Sequence, residues 1–193
     1  MKDPDNIRSI EALGVDMMGF IFYPPSPRNV GDEVPAYMPS CRRVGVFVNE
    51  AQESLLGKCK AFGLDTVQMH GNESPEQCAA IKSAGYRVIK ALSISDATDI
   101  VKASEYEGSC DMLIFDTKCK TVGGSGTSFD WSLLSSYKGT TGFLLSGGIG
   151  PDSELGSFSH PRLLGYDLNS RFETAPGIKD TELLREFIER NKK

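Results

Sequence analysis

The alternation of two kinds of segment along this chain predicts an α/β protein built on a parallel sheet. Seven short apolar stretches are separated by segments whose apolar residues recur at helical spacing. Since neighbouring parallel strands need a crossover connection, usually a helix, this order indicates right-handed βαβ units. The run Met17–Phe22 has no regular polar alternation, which is typical of a strand buried on both faces.

The predicted strands are Met17–Phe22, Arg43–Val48, Asp65–Met69, Arg87–Leu92, Asp111–Phe115, Gly142–Ser146 and Leu163–Leu168. The predicted helices span about 4–13, 33–38, 50–62, 75–84, 96–104 and 179–190, with two more that begin at 129 and 151. Ser74, followed by Pro75 and then Gln77, has the features of a capping box. Asn49 is expected to cap the helix that begins at residue 50.

This count of eight helices and seven strands favours an eightfold barrel over a dinucleotide-binding fold, because no GxGxxG motif follows the first strand. A closed barrel of this kind has eight parallel strands, each followed by a helix, whereas this sequence begins on a helix. The predicted fold is therefore a TIM (β/α)8-type barrel lacking strand 1. It occupies residues 1–193 as a single incomplete domain.

Composition narrows the classes of partner. The chain of 193 residues is 39% hydrophobic, which suffices for one sizeable core. A formal charge of −5 without a basic run argues against nucleic acid as a partner. No apolar run approaches the roughly 20 residues that span a bilayer, and the polar start Met1–Asp5 is no signal peptide. We expect a cytoplasmic protein without a membrane partner.

The cysteines and histidines do not indicate a metal site. The 5 cysteines form no Cys-x-x-Cys pair, and their odd number fits reduced cytosolic thiols. The 2 histidines, His70 and His160, lie far apart in sequence. Because transition metals in proteins prefer clustered thiolate and imidazole ligands, we expect no such site.

A carboxylate stands where the fifth predicted strand ends. Asp116 follows the apolar residues Met112–Phe115 and precedes a glycine-dense run at 122–127. A carboxylate at the mouth of a buried parallel strand is costly to desolvate unless it is hydrogen-bonded or used in chemistry. Barrels of parallel strands place their active sites at this end. Asp116 is therefore either a functional group or a residue that caps a turn.

Segments along essentially the whole chain resemble the phosphoribosylanthranilate isomerase family. They are Gly19–Phe22, Ser26–Arg28, Val44–Asn49, Val67–Gly71, Phe115–Thr117, Phe129–Trp131, Ser146–Ile149, Asp167–Glu173 and Pro176–Asp180. The resemblance implies an Amadori rearrangement in tryptophan biosynthesis. This reaction converts N-(5-phosphoribosyl)anthranilate to 1-(2-carboxyphenylamino)-1-deoxyribulose 5-phosphate with no cofactor or metal.

The resemblance also implies two catalytic roles. An acid protonates the sugar-ring oxygen, and this role maps onto Asp116. A base takes the proton from C2; in the family it is a cysteine in a Lys-x-Cys-Gly segment on the first strand, which this sequence does not contain. We therefore expect roughly ten further residues, carrying that strand, ahead of Met1 in the native product, and little activity from the chain as given. Cys119 is the nearest other thiol, but its position next to the acid suits a base poorly.

Three residues are implied to contact the substrate, a small phosphosugar–anthranilate molecule. Arg28 follows a proline-stiffened loop and can present its planar guanidinium to the anthranilate carboxylate, unless it is a solvated loop arginine. Asp167, near the end of the last strand, resembles a substrate-contacting aspartate. His70 also lies at a strand end, but a lone histidine is as often a structural hydrogen-bonding residue.

The implied phosphate site lies in the loops after the last two strands. Its residues are Gly147, Gly148, Asn169, Ser170 and Arg171. Barrels of this type hold phosphate there on backbone N–H groups, although glycines can also serve a plain tight turn. The family often has Ser-Ser-Gly where this chain has Asn-Ser-Arg, so the arginine either adds positive charge or points outward.

Two alternatives stay open at this point. One is a catalytically silent barrel that binds a phosphosugar or a partner, and the other is a different phosphate-binding barrel isomerase or epimerase.

Without a first strand, Met17–Phe22 and Leu163–Leu168 would each expose a backbone edge. The gap would then narrow, be filled by another segment, or be covered by a second chain. We accordingly expect a monomer or an edge-paired homodimer.

Overall fold

A computed structural model describes residues 1–117 and 131–191 and contains one sheet of seven parallel strands. The strands are β1 (Met17–Ile21), β2 (Arg42–Phe47), β3 (Thr66–Met69), β4 (Arg87–Ile94), β5 (Met112–Thr117), β6 (Phe143–Ser146) and β7 (Leu163–Tyr166). They pair in chain order, each with the next. The α/β class and all seven predicted strands are therefore confirmed, with bounds that differ by at most two residues.

The described residues form five α-helices, four short 3-10 helices and a small hairpin. The α-helices are α1 (Pro4–Glu11), α2 (Gln52–Phe62), α3 (Pro75–Ser83), α4 (Ala97–Val101) and α5 (Thr181–Asn191). The 3-10 helices span Lys102–Tyr106, Trp131–Ser136, Leu155–Ser157 and Ser170–Phe172. The antiparallel hairpin consists of β8 (Glu173–Ala175) and β9 (Ile178–Lys179), and sequence patterns did not predict it. None of the helices described combines the length and the apolar character needed to cross a bilayer.

The helix-start signals are largely confirmed. Asp3 accepts a hydrogen bond from the backbone N–H of Asn6 at 2.7 Å and caps α1. At α3 the Ser74 side chain accepts from the Gln77 N–H while the Gln77 amide accepts from the Ser74 N–H, which completes the predicted capping box. Gly63, with a φ of 58°, ends α2 in the left-handed region that glycine tolerates.

Asn49 does not cap α2, so that prediction is wrong. Ala51 is the N-cap residue and makes no side-chain capping bond. Asn49 instead adopts a φ of 52°, and its side-chain oxygen accepts a hydrogen bond from the backbone N–H of Asn72 at 2.7 Å. Asparagine tolerates this left-handed conformation better than most residues because its short polar side chain bonds locally. The residue joins two loops at one edge of the sheet.

Several predicted helices are shorter than expected or absent. Residues 33–38 form no helix. The helix predicted at 96–104 is α-helical only to Val101 and continues as a 3-10 helix. The helix predicted from residue 129 begins outside the described residues, which show a 3-10 helix from Trp131. The segment predicted to be helical from 151 contains a single 3-10 turn at Leu155–Ser157.

Side chains alternate between two apolar layers on either face of the sheet. Leu113 and Phe115 of β5 belong to the large outer cluster, which packs the strands against the helices. Ile114, between them, belongs to a smaller inner cluster; its buried members are Val44, Ile89, Ala91, Ile114 and Leu144. Successive side chains of a strand point to opposite faces, so a residue's parity decides which layer it joins. Asp116 therefore shares the inner face with Ile114.

We expect Leu113→Ala to lower the free energy of unfolding by about 2–5 kcal/mol, because it leaves a cavity in the outer cluster. Leu113 is fully buried, whereas Leu164 in the same sheet is 59% exposed. The matched change Leu164→Ala should cost no more than about 0.5 kcal/mol. Urea titration followed by circular dichroism measures both values, and equal costs would contradict the assignment of the outer cluster as the core.

Candidate active site

Asp116 lies at the carboxyl end of β5, on the inner face of the sheet. In the sheet register it stands between Ser93 of β4 and Ser146 of β6. Its side chain is 31% exposed, so it is neither solvated on all sides nor sealed inside the core. The structure thus places this carboxylate at the edge where parallel α/β folds assemble their sites.

His70 is the closest titratable partner of Asp116 among the contacts described. Its Nε2 lies 3.7 Å from Asp116 Oδ2, beyond direct hydrogen-bond distance. On the other side of the ring, Gln68 Nε2 donates to His70 Nδ1 at 2.7 Å. An imidazole nitrogen that accepts a hydrogen bond carries no proton, so in the neutral ring the proton is on Nε2. His70 therefore presents an N–H donor toward the carboxylate.

A cavity of about 500 Å³ opens beside these two groups. Its wall includes Asp116, His70, Lys90, Ser93 and Lys102. The carboxylate of Asp116, the imidazole of His70 and the ammonium of Lys102 thus border a space large enough for a small polar molecule.

Asp167 follows β7 and joins the same inner face. Its backbone N–H pairs with Leu145 O, and its carboxylate accepts a hydrogen bond from Ser146 Oγ at 2.9 Å. Burial raises the pKa of Asp167, although the Ser146 hydrogen bond and the charges of Lys179 and His70 favour the ionised form. The negative charge of Asp116 adds to the upward shift. The two carboxylates, the imidazole and the ammonium therefore act on one another electrostatically.

Arg28, predicted to contact substrate, is held by a carboxylate. Its Nε and Nη2 both lie within 2.8 Å of Glu173 Oε2. The Glu173 side chain is only 4% exposed and also accepts from Lys179 Nζ and the Gly177 N–H, both at 3.2 Å. Lys179 Nζ then donates to Asn169 Oδ1 at 2.8 Å. Sequence reasoning assigned no role to Glu173 or Lys179, because their meeting depends on the unpredicted β8–β9 hairpin.

The two predicted phosphate loops lie next to each other. Gly147 and Gly148 have φ values of 84° and 69°, which side chains rarely adopt. Arg171 donates to Gly148 O at 3.2 Å, and a Cβ on Gly150 would lie 2.5 Å from Arg171 Nε. Arg171 thus lies across the glycine loop. Asn169, which precedes the 3-10 helix at Ser170–Phe172, is tied to Lys179.

The described cysteines lie away from this site. Burial raises the pKa of Cys59 and of Cys110 to about 12 and that of Cys78 to about 11. These thiols belong to the outer cluster, and Cys41 precedes β2 at the opposite edge of the sheet. Cys119 lies outside the described residues. Over 1–117 and 131–191, no group of three or more histidine, cysteine, aspartate or glutamate side chains could hold a metal ion.

Two carboxylates and an imidazole at the carboxyl edge of parallel strands are typical of β/α-barrel enzymes that act by acid–base chemistry. The family model for N-(5'-phosphoribosyl)anthranilate (PRA) isomerase matches residues 1–190. The chain belongs to this family.

Relatives and solved structures agree. The N-(5'-phosphoribosyl)anthranilate isomerase of Phocaeicola vulgatus is 51% identical over 191 residues, which cover 97% of this chain and 93% of the relative. The crystal structure of phosphoribosyl anthranilate isomerase from Thermotoga maritima is similar with a TM-score of 0.80 and 32% identity, covering 98% of this chain and 94% of that one. A second crystal structure of the isomerase contains reduced 1-(o-carboxyphenylamino)-1-deoxyribulose 5-phosphate. It has a TM-score of 0.78 and 30% identity over 98% of this chain and 93% of that one.

Asp167→Asn should make the chain more stable than the parent as the pH rises. Because burial raises the pKa of Asp167, the folded chain binds this proton more tightly than the unfolded chain. As the pH rises, the parent's free energy of unfolding therefore decreases. The decrease begins near the pKa of an aspartate in the unfolded chain, about 3.9, and ends above the raised pKa of Asp167 in the folded chain. Asparagine removes this dependence, so the variant's advantage should grow between about pH 3.5 and pH 7.

Urea unfolding across this pH range measures the difference. Asp16→Asn is the control, since Asp16 is exposed and directly precedes β1, at the edge of the sheet opposite the site. A difference between Asp167→Asn and the parent that stays constant with pH would contradict the raised pKa of Asp167.

Proposed function

We propose that this chain carries out the reaction of its family, with Asp116 as the general acid that protonates the ring oxygen of N-(5-phosphoribosyl)anthranilate. The observation that supports this proposal most directly is the position of Asp116. It lies on the inner face at the carboxyl end of β5, beside His70 and the cavity. A proton donor must reach the reacting oxygen directly or through one water. A partly exposed carboxylate at the cavity wall satisfies that requirement.

Asp167 and His70 are proposed to contact the sugar from the same face. Asp167, with its raised pKa, can hold a proton at higher pH than an ordinary carboxyl and can donate or accept a hydrogen bond. The Nε2 of His70 points toward Asp116 and the cavity. These groups favour a hydroxyl-rich substrate over an apolar one.

Arg28 is proposed to receive the anthranilate carboxylate. Its guanidinium already pairs, through Nε and Nη2, with the carboxylate of Glu173, and this contact supports the proposal that it binds such a group. A substrate carboxylate would share or replace that partner. The phosphate is proposed to bind Gly147, Gly148, Asn169, Ser170 and Arg171, where the adjacent loops offer backbone N–H groups.

The sheet is proposed to be a TIM-type barrel with the position of strand 1 open between β7 and β1. In the described residues β1 and β7 are the two ends of the sheet. In the family the base is a cysteine on the first strand, and the described thiols lie elsewhere. The chain as given should therefore turn over substrate slowly, because loss of a general base typically costs about 10²–10⁴-fold. Its cytoplasmic location and its state as monomer or edge-paired homodimer stay predictions.

Asp116→Asn should lower kcat by about 10²–10⁴-fold while product affinity changes little, because asparagine keeps the shape of the side chain but cannot give up a proton. Consumption of the fluorescent substrate measures turnover, and titration with the reduced product analogue measures affinity. Asp16→Asn, an exposed aspartate ahead of β1, serves as the control. Unchanged turnover in Asp116→Asn would refute the assignment of the acid.

Addition of a designed first strand that contains Lys-x-Cys-Gly ahead of Met1 should raise turnover by about 10²–10⁴-fold. The same addition with alanine in place of that cysteine is the matched control, since it closes the sheet without supplying a base. If the chain of residues 1–193 turns over as fast as the extended form, the proposed role of the missing base is wrong.

A further inference from the structure

A buried ion pair lies next to the site and has no role in the chemistry described so far. Lys90 of β4 and Glu73, in the loop between β3 and α3, meet at 2.8 Å with side chains only 1% and 2% exposed. Lys90 shares the outer face with Val88, where an apolar residue would be expected. A charge pair in this position requires an explanation.

The ammonium of Lys90 uses all three of its donors on one loop. It donates to Met69 O at 3.2 Å, to Gly71 O at 2.7 Å and to Glu73 Oε2 at 2.8 Å. The two carbonyls belong to the residues on either side of His70. The backbone that carries this imidazole is therefore clamped before and after it.

The carboxylate of Glu73 holds the same loop from the other direction. Its Oε1 accepts from the Asn49 N–H at 2.8 Å, and its two oxygens accept from the Gly71 N–H at 3.1 and 2.9 Å. Burial would raise the pKa of Glu73, but the hydrogen bonds from Lys90 and Asn49 outweigh it and lower the pKa below its usual value. Glu73 thus stays ionised and joins the loops after β2 and β3 to the middle of β4.

Stability is a weak reason for such a pair. Replacing a buried ion pair by apolar groups of similar volume is often neutral or stabilising, because desolvation offsets the attraction of the charges. Directional hydrogen bonds, by contrast, define a single backbone conformation at low cost in freedom. Every contact named here, apart from the pair itself, is with backbone on β3 or on the loops after β2 and β3.

We propose that Glu73 and Lys90 are positioning residues of the isomerase site, which hold the loop 69–73 so that His70 faces Asp116. The inference rests on the proposed function, because it assigns the pair a purpose through those two groups. His70 Nε2 lies 3.7 Å from Asp116 Oδ2. In this proposal that distance depends on Glu73 and Lys90, although neither of them contacts the His70 or the Asp116 side chain.

The first experiment reads the position of His70 without any turnover. The chain has 2 histidines, so ¹³C-labelled imidazole resonances resolve His70 with His160 as an internal reference. In the parent, Asp116→Asn should shift the His70 ring resonances, because the carboxylate charge lies next to the ring. In Glu73→Gln/Lys90→Met, the same Asp116→Asn change should move them by less than half as much.

The control pair is Lys82–Asp111, which meets at 3.0 Å. It lies at the edge of the sheet where the strands begin, opposite the site. In Lys82→Met/Asp111→Asn the His70 response to Asp116→Asn should equal that of the parent. An undiminished response in Glu73→Gln/Lys90→Met would overturn the proposal. If the double variant does not fold, the same measurement is made on the single variant Glu73→Gln. Failure of both to fold would also overturn the proposal, because the pair would then be needed for the fold itself.

The second experiment separates this inference from the proposed function. In the strand-extended form, Glu73→Gln/Lys90→Met should lower kcat at least tenfold while KM changes less than threefold, because a misplaced His70 affects the reacting centre more than binding. If the strand-extended parent has no turnover, the proposed function fails while the imidazole measurement still decides the positioning role. Normal kcat with a reduced His70 response would show that the pair positions His70 but that the reaction does not need it, and would overturn the proposal.

Discussion

The in-register pairing of parallel strands is the constraint on which the site depends. Each strand of the sheet pairs with the next in chain order, so the carboxyl ends of the strands meet at one edge. The two-residue period of a strand then selects which side chains at that edge face inward. Ser93, Asp116 and Ser146 all satisfy this parity. A slip of one residue in β5 would turn the Asp116 carboxylate into the outer apolar layer.

Burial and charge together set the electrostatic character of this edge. Asp167 is buried enough for its pKa to rise, and Asp116 raises it further, while Lys179 and His70 act in the opposite direction. Burial lowers the pKa of Lys179, and Glu173 partly reverses that shift. Opposed influences of this kind are common where side chains exchange protons in acid–base chemistry. The charges at the inner edge are therefore only partly compensated.

The strands and the position of Asp116 were predictable from sequence because both follow from local pattern. A buried strand appears as an apolar run, and the residue after it lies at the sheet edge. Asn49 was mispredicted because a capping signal is local, whereas its actual partner is the N–H of Asn72 in another loop. The contact of Arg28 with Glu173 joins residues 145 positions apart, and no periodicity in the sequence encodes such a pair.

The β8–β9 hairpin connects the residues proposed to bind the two ends of the substrate. The parallel strands do not provide this connection. Glu173, on β8, binds Arg28, where the carboxylate of the aromatic ring is proposed to lie. Lys179, on β9, binds both Glu173 and Asn169, and Asn169 belongs to the proposed phosphate loop. A substrate with a negative group at each end would meet one continuous network of charged side chains. Binding at one end would then shift the hydrogen bonds available at the other, so the hairpin would make recognition of the two groups interdependent.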